Sequence, residues 1–262
     1  MAKVCQLFSG SNGNSILISA NGNNFLVDIG VSAKRCENAL LDVGVDPDSI
    51  NGIFVTHEHC DHVKGVRVFA KRHKVPVFAN FECVDAMLEA ETIDSDVHIE
   101  LLDYHTELGG IEIRSFAQSH DSANCVGYRF NLPEGRSVGV CTDTGYVTDN
   151  AKELLKGVDM IFLESNHEVS MVQTGSYSYM LKKRILGARG HLSNFDSSEY
   201  IKTLAQDGTT RFVLCHLSLE NNMPEIARQT ALSALSEIGL KEGTDYRLYV
   251  SPTQNDSRCI AL

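Results

Sequence analysis

Between His57 and His62 this chain places three imidazoles and the carboxylate of Asp61, in the order Thr56-His57-Glu58-His59-Cys60-Asp61-His62. Imidazole nitrogen and carboxylate oxygen together suit zinc, manganese or iron, and the lack of a paired thiolate argues against a closed structural zinc site. The chemistry such spacing points to is a catalytic metal centre. Cys60 reads as filler between donors. Just upstream, Gly52-Ile53-Phe54-Val55 reads as a buried strand that delivers the cluster at its end.

Other acids and imidazoles also stand where apolar runs stop. The run 112–117 leads into Gln118-Ser119-His120-Asp121, and 137–141 leads into Thr142-Asp143-Thr144-Gly145. Met160-Ile161-Phe162-Leu163 ends on Glu164, and 211–215 ends on His216. A side chain at a strand end can be aimed by its loop into a central cleft. His191 lies in Gly190-His191-Leu192-Ser193-Asn194.

The stretch HEHCDH fits the HxHxDH signature of the metallo-β-lactamase superfamily, and the chain resembles those metal-dependent hydrolases. The resemblance implies an α/β (α+β) fold, the αββα sandwich, as a single domain over 1–262. It implies two divalent metal ions, Zn²⁺ or Mn²⁺ first, with iron also compatible. His57, His59 and His120 would serve one metal and Asp61, His62 and His216 the other, with Asp143 bridging. Asp28 would support the metal loop, although from the residues alone it reads equally as a cap at a strand end. Asp61 counts as catalytic as well as metal-binding. Glu164 and His191 are surplus to the donor set and are candidates for proton transfer.

The order Asp143, Glu164, His191, His216 resembles the nucleic-acid-processing branch, which includes ribonuclease Z and the β-CASP nucleases. Only residues 165–190 separate Glu164 from His191, so there is no β-CASP insertion. The stretches SGSNGNS, THEHCDH, SHD, TDTGY, ESNH, GHLSN and CHLSLENNM, from Ser9 to Met223, are similar to the compact YycJ/WalJ group. That resemblance implies a 5′→3′ exonuclease acting on double-stranded DNA ends in repair or processing. It would use a metal-bridging hydroxide and have DNA-repair proteins as candidate partners. Candidate substrate contacts are Ser11, Asn12, Asn14, Asn166, Asn194, Asn221 and Asn222, with Lys182, Lys183 and Arg184. Rival readings are a hydrolase of small esters such as lactones or thioesters, a ribonuclease, or a non-catalytic metal-binding module.

The elements that must position these residues follow from pattern. Runs 4–8, 15–19 and 25–29 read as a strand meander, separated by Ser9-Gly10-Ser11-Asn12-Gly13-Asn14 and Ala20-Asn21-Gly22-Asn23. The first of these loops is a hairpin turn or a cradle of backbone N–H groups for a phosphate. Helical spacing covers 32–43, 65–73, 81–91, 148–156 and 224–238. Further strands are expected at 53–55, 76–79, 112–117, 125–132, 137–141, 160–164, 211–215 and 246–250.

Composition narrows the setting. The 262 residues, 43% of them apolar, can bury a substantial core. No apolar run reaches the roughly 18 residues of a membrane span, and Met1-Ala2-Lys3-Val4 enters a strand-like run without signal-peptide architecture. The eight cysteines include no CxxC pair, and Cys5, Cys141 and Cys215 sit in apolar runs. They read as reduced core residues of a cytoplasmic protein. A net charge of −11 argues against a generally sticky nucleic-acid binder. Two divalent metals would return about +4 at the site itself. Lys71-Arg72-His73-Lys74 and Lys182-Lys183-Arg184 with Arg189 are solvated helix faces or phosphate contacts.

Overall fold

Side chains along a strand point alternately to opposite faces, and here both faces of most strands are apolar. In the computed structural model, which describes residues 2–102 and 104–262, that pattern is met by four layers. Met1, the first residue of the strand-like opening, lies outside the described residues. The strands are β1 (Lys3–Phe8), β2 (Ser15–Ala20), β3 (Asn23–Val27), β4 (Ile50–Phe54), β5 (Val77–Ala79), β6 (Ile99–Leu101), β7 (His105–Leu108), β8 (Ile111–Ala117), β9 (Val126–Leu132), β10 (Arg136–Cys141), β11 (Met160–Glu164), β12 (Arg211–Cys215), β13 (Arg247–Val250) and β14 (Ile260–Ala261). They form two sheets, ordered β14-β1-β2-β3-β4-β5-β6 and β13-β12-β11-β10-β9-β8-β7.

Ile18, Phe25 and Val27 of the first sheet meet Val138, Val140, Phe162 and Val213 of the second in the central layer. Their sequence neighbours face outward. Leu17, Leu26 and Ile53 pack against α1 (Ala33–Asp42), α2 (Cys60–Val63), α3 (Val66–His73) and α4 (Phe81–Glu89) through Leu40, Val63, Phe69 and Met87. On the other side Ile161, Leu163, Phe212 and Leu214 pack under α5 (Asp149–Leu155), α8 (Asn194–Gln206) and α9 (Pro224–Glu237). Two short helices, α6 (Val169–Thr174) and α7 (Tyr179–Ile185), lie in the connection from β11 to α8. This is the αββα sandwich that the resemblance implied.

Each sheet has an antiparallel part and a parallel part. Strands β3 to β6 run parallel, as do β10 to β13. Loops leaving the parallel strands therefore gather at one edge, where open α/β sheets place their ligands. The central aromatic cluster steadies the most important of them. Phe54 stacks on Phe78 at 4.7 Å and meets Phe25, Tyr128 and Phe130 edge-on. Tyr128 Oη–H donates to Val55 O. Burying such a side chain stabilises the fold by about 1.5–3 kcal/mol, and the residues just after it carry the His cluster.

Three expectations need correction. The third strand stops at Val27, because Asp28 takes a left-handed φ of 61° that cannot continue a pleat. Helices α2, α6 and α8 and strands β6, β7 and β14 were not foreseen from the sequence, and α7 was foreseen only as a helix face carrying Lys182, Lys183 and Arg184. Cys5 is not a reduced thiol: it is bonded to Cys259. Strand β14 runs antiparallel to β1 with Lys3 opposite Ala261 and Val4 opposite Ile260, so Cys259 falls opposite Cys5 with a Cα separation of 4.5 Å. Cys141 and Cys215 are buried free thiols, as expected. No helix among the described residues is long and apolar enough to cross a membrane.

Candidate metal centre

Three of the candidate residues share an unusual backbone. Asp28, Asp143 and His216 follow β3, β10 and β12 with φ of 61°, 62° and 56°. This region costs non-glycine residues about 1–3 kcal/mol, and Asp and His enter it more readily than most. Here it turns each chain sharply at its strand end. The single-turn helix α2 does the same for Asp61 and His62.

The resulting constellation draws on both sheets. Ring nitrogens of His57, His59 and His120 lie within 4.8 Å of one another. So do the donor atoms of Asp61, His62 and His216, and those of His57, His62 and Asp143. All seven residues expected as metal donors are thus brought together.

Hydrogen bonds fix which ring nitrogen each imidazole presents. His62 Nδ1–H donates to Asp28 Oδ2 at 2.7 Å, and Thr56 N–H and Oγ1–H each donate to that carboxylate at 2.8 Å. His120 Nδ1–H donates to Gly190 O at 3.1 Å, and His216 Nδ1–H to Glu164 Oε1 at 2.8 Å. Their Nε2 atoms are left for the gap between the sheets. His57 Nε2 and His59 Nδ1 face each other at 3.0 Å. Two further atoms test whether a metal fits. Asp143 Oδ2 and His216 Nε2 are buried without a hydrogen-bond partner. Leaving such atoms unsatisfied costs about 1–3 kcal/mol each. A cation offsets that, and the oxygen and imidazole donors suit a divalent ion.

The electrostatics follow from burial and proximity. Burial pushes His57 well below its ordinary value, with His62 adding to the effect, and burial also lowers His120. Burial opposes the charge on His62, yet Asp143, Asp28 and Asp61 outweigh it and raise that residue well above normal. His216 is raised to about 10 in the same way, against burial, by Asp143, Asp61 and Glu164. Burial works against ionised Asp143 and Glu164, but neighbouring imidazoles prevail: His216 and His62 hold Asp143 well below normal, and His191 and His216 hold Glu164 at about 2.

A second constellation abuts the first. His191 Nδ1–H donates to Glu164 Oε1 at 2.7 Å. Glu164 Oε2 accepts from Thr144 N–H at 3.0 Å and Leu192 N–H at 3.2 Å. Burial disfavours a charged His191, but Glu164 outweighs it and raises its affinity for a proton. His191 lines a cleft of about 190 Å³ together with His59, Asp61, His120 and His216. The cleft wall also carries Tyr177, Leu181 and Ser218, which sequence reasoning passed over. Thr56 and Ser9 were missed too; Ser9 Oγ accepts from the His216 N–H at 2.8 Å. Thr56 was findable as the residue between a buried strand and its first histidine, whereas Tyr177 carries no sequence signal.

The expected substrate contacts divide. Ser11, Asn166 and Arg184 line the cleft. Arg184 also pairs with Asp121, its Nη2–H donating to Oδ1 at 3.0 Å. Asn12 and Lys183 are exposed outside the cleft lining, and Lys182 Nζ–H donates to Gln173 O at 2.8 Å. Asn14 is buried beneath the metal loop, 3.0 Å from His62 Nε2. Asn194 and Asn222 are buried and exchange side-chain amide hydrogen bonds at 2.9 Å. Asn222 Nδ2–H also reaches Ser165 O at 2.8 Å. These two, with buried Asn221, join loops together and are not open to a substrate.

Comparison with known proteins agrees with the fold. A family profile for the β-lactamase superfamily domain matches residues 23–217. Exodeoxyribonuclease WalJ of Streptococcus pneumoniae serotype 2 is 36% identical over 251 residues, covering 94% of this chain and 93% of that protein. Exodeoxyribonuclease YycJ of Bacillus anthracis is 37% identical over 246 residues, covering 93% and 92%. The solved metallo-β-lactamase fold protein YhfI from Bacillus subtilis superposes with a TM-score of 0.69 at 16% identity, covering 97% of this chain and 98% of that one, a likeness of fold alone.

Proposed function

As this chain belongs to the metallo-β-lactamase superfamily, we propose that it is a metal-dependent exodeoxyribonuclease that removes nucleotides from 5′ ends of duplex DNA. The observation that carries the hydrolytic reading is the His191–Glu164 pair set against seven converging metal donors. The exodeoxyribonuclease names of the relatives, aligned over 94% and 93% of this chain, support DNA as the substrate.

His57, His59 and His120 would hold one divalent ion and Asp61, His62 and His216 a second, with Asp143 between them. Bound there, such ions supply Lewis-acid activation of water and offset charge on the phosphodiester oxygens. The chain itself does the rest. Asp61, which lines the cleft, accepts a proton from the attacking water. Glu164 accepts a hydrogen bond from His191 Nδ1–H, which fixes the tautomer and leaves Nε2 for the cleft. From there His191 protonates the departing sugar oxygen, which leaves poorly as an alkoxide. Arg184 contacts phosphate at the wall, and Lys182 and Lys183 extend the basic track along α7.

End-labelled duplex DNA, single-stranded DNA and RNA, each with Mn²⁺, Zn²⁺ or Mg²⁺, test this reading. Stepwise loss of nucleotides from duplex 5′ ends is expected. Binding should weaken with salt, with a log–log slope of about 0.9 per contacted phosphate. Hydrolysis of lactones or thioesters with no action on DNA or RNA would overturn it.

A further inference from the structure

A second cavity, of about 800 Å³ against about 190 Å³ for the catalytic cleft, opens where edge strands β13 and β14 leave the sandwich uncovered. Its accessible apolar lining is Tyr249 and Val250 of β13 and Ile260 of β14, which cover the buried Val4, Phe162 and Val213 beneath. Arginines line it as well. Arg211 and Arg247 are the first residues of β12 and β13 and stand opposite each other in the parallel register. Neighbouring strands lie only about 4.8 Å apart, and like charges placed directly opposite are destabilising. The chain has a net charge of −11, yet neither guanidinium has a hydrogen-bond or ion-pair partner among the described residues. The one carboxylate in the lining, Asp256, is taken by Arg258, with Nε to Oδ2 at 3.1 Å.

We propose that this cavity binds a small organic phosphate, its phosphate between Arg211 and Arg247 and its apolar portion against Tyr249, Val250 and Ile260. Two planar guanidinium forks answer a dianionic head, whereas a carboxylate satisfies only one of them. The volume lies within the range of small-molecule sites, about 300–1,000 Å³. Arg211 begins β12 and His216 follows its other end, so five steps along the chain, or about 17 Å of strand, separate the two residues. Ligand binding here does not depend on the nuclease activity proposed above.

The sequence contains no tryptophan, so Tyr249→Trp supplies a sole indole in the cavity wall. Adenosine 5′-monophosphate serves as the probe, titrated into the metal-loaded variant. A saturable change in emission is expected. Adding Arg211→Gln and Arg247→Gln should weaken it at least tenfold, about 1.4 kcal/mol, while DNA hydrolysis stays within about twofold of the parent. Arg211→Lys with Arg247→Lys should retain part of the binding. Adenosine and inorganic phosphate should each bind at least about tenfold more weakly. If the glutamine pair fails to fold, the single exposed change Arg247→Gln carries the comparison. No saturable change up to about 10 mM would overturn the proposal. So would undiminished binding in the arginine variants, which would place the phosphate elsewhere, the metal cleft included. Equal binding of adenosine or of inorganic phosphate would overturn it too.

Discussion

His191 and His216 hang from one carboxylate oxygen: Glu164 Oε1 accepts from Nδ1–H of the first at 2.7 Å and of the second at 2.8 Å. Their ring centroids are 5.3 Å apart. One ring is a proposed metal donor and the other a proposed proton donor, so a single buried acid orients both. Glu164→Gln should therefore damage two properties at once. We expect a loss of about 10–100-fold in metal affinity and a comparable loss in rate. Metal titration and DNA hydrolysis of the same preparation check this. A rate loss with unchanged metal affinity would confine Glu164 to the His191 side.

His191→Ala should slow release of nucleotides from natural DNA ends by about 10²–10⁴. Its metal content should match that of the parent, because His191 lies outside the seven proposed donors. A nitrophenyl phosphodiester, whose leaving group needs no proton, should be far less affected. Equal losses on both substrates, or a missing metal, would assign His191 to holding the site together.

The first cluster was legible because six consecutive residues carry it and a buried strand delivers it. Asp143, Glu164 and His216 were legible because an apolar run stops near each of them. The double duty of Glu164 was not, since it depends on β11 and β12 lying side by side. Helix α8 escaped notice because part of its buried face is polar, Asn194, Ser197 and Ser198, so the apolar period is diluted. Helix α7 buries no residue at all, so no apolar period marks its bounds and only its basic run points to a helix face. Asn194 and Asn222 were expected as substrate contacts, yet each is the other's buried partner. The Cys5–Cys259 bond joins residues 254 positions apart, beyond the reach of local pattern.

Metal loading should depend on pH with a definite sign. Without metal, His216 binds a proton up to about 10, above the ordinary histidine value of about 6.5. Its contribution to the stability of the metal-free protein is thus fully present below about pH 6.5 and is lost as pH rises through about 10. A metal needs the neutral ring, so loading at pH 7 must release that proton. Apparent metal affinity should rise between about pH 7 and 10. Competition with a chromophoric chelator across that range measures it, and a flat profile would contradict the ligand role of His216.

Thiol labelling of the denatured chain without reductant should modify six cysteines, the free ones, out of eight. After reduction it should modify all eight. Cys259→Ser should cost about 2–5 kcal/mol of stability, because the bond closes nearly the whole chain into a loop. Eight labelled thiols before reduction would show the bond is not formed.

Metal content tests the central claim most directly. Protein saturated with Mn²⁺ or Zn²⁺ and freed of excess ion should carry two metals per chain by elemental analysis, and Asp143→Ala should carry fewer while keeping its fold and losing DNA hydrolysis. One metal or none in the saturated parent, or full activity on duplex DNA without any, would contradict the account.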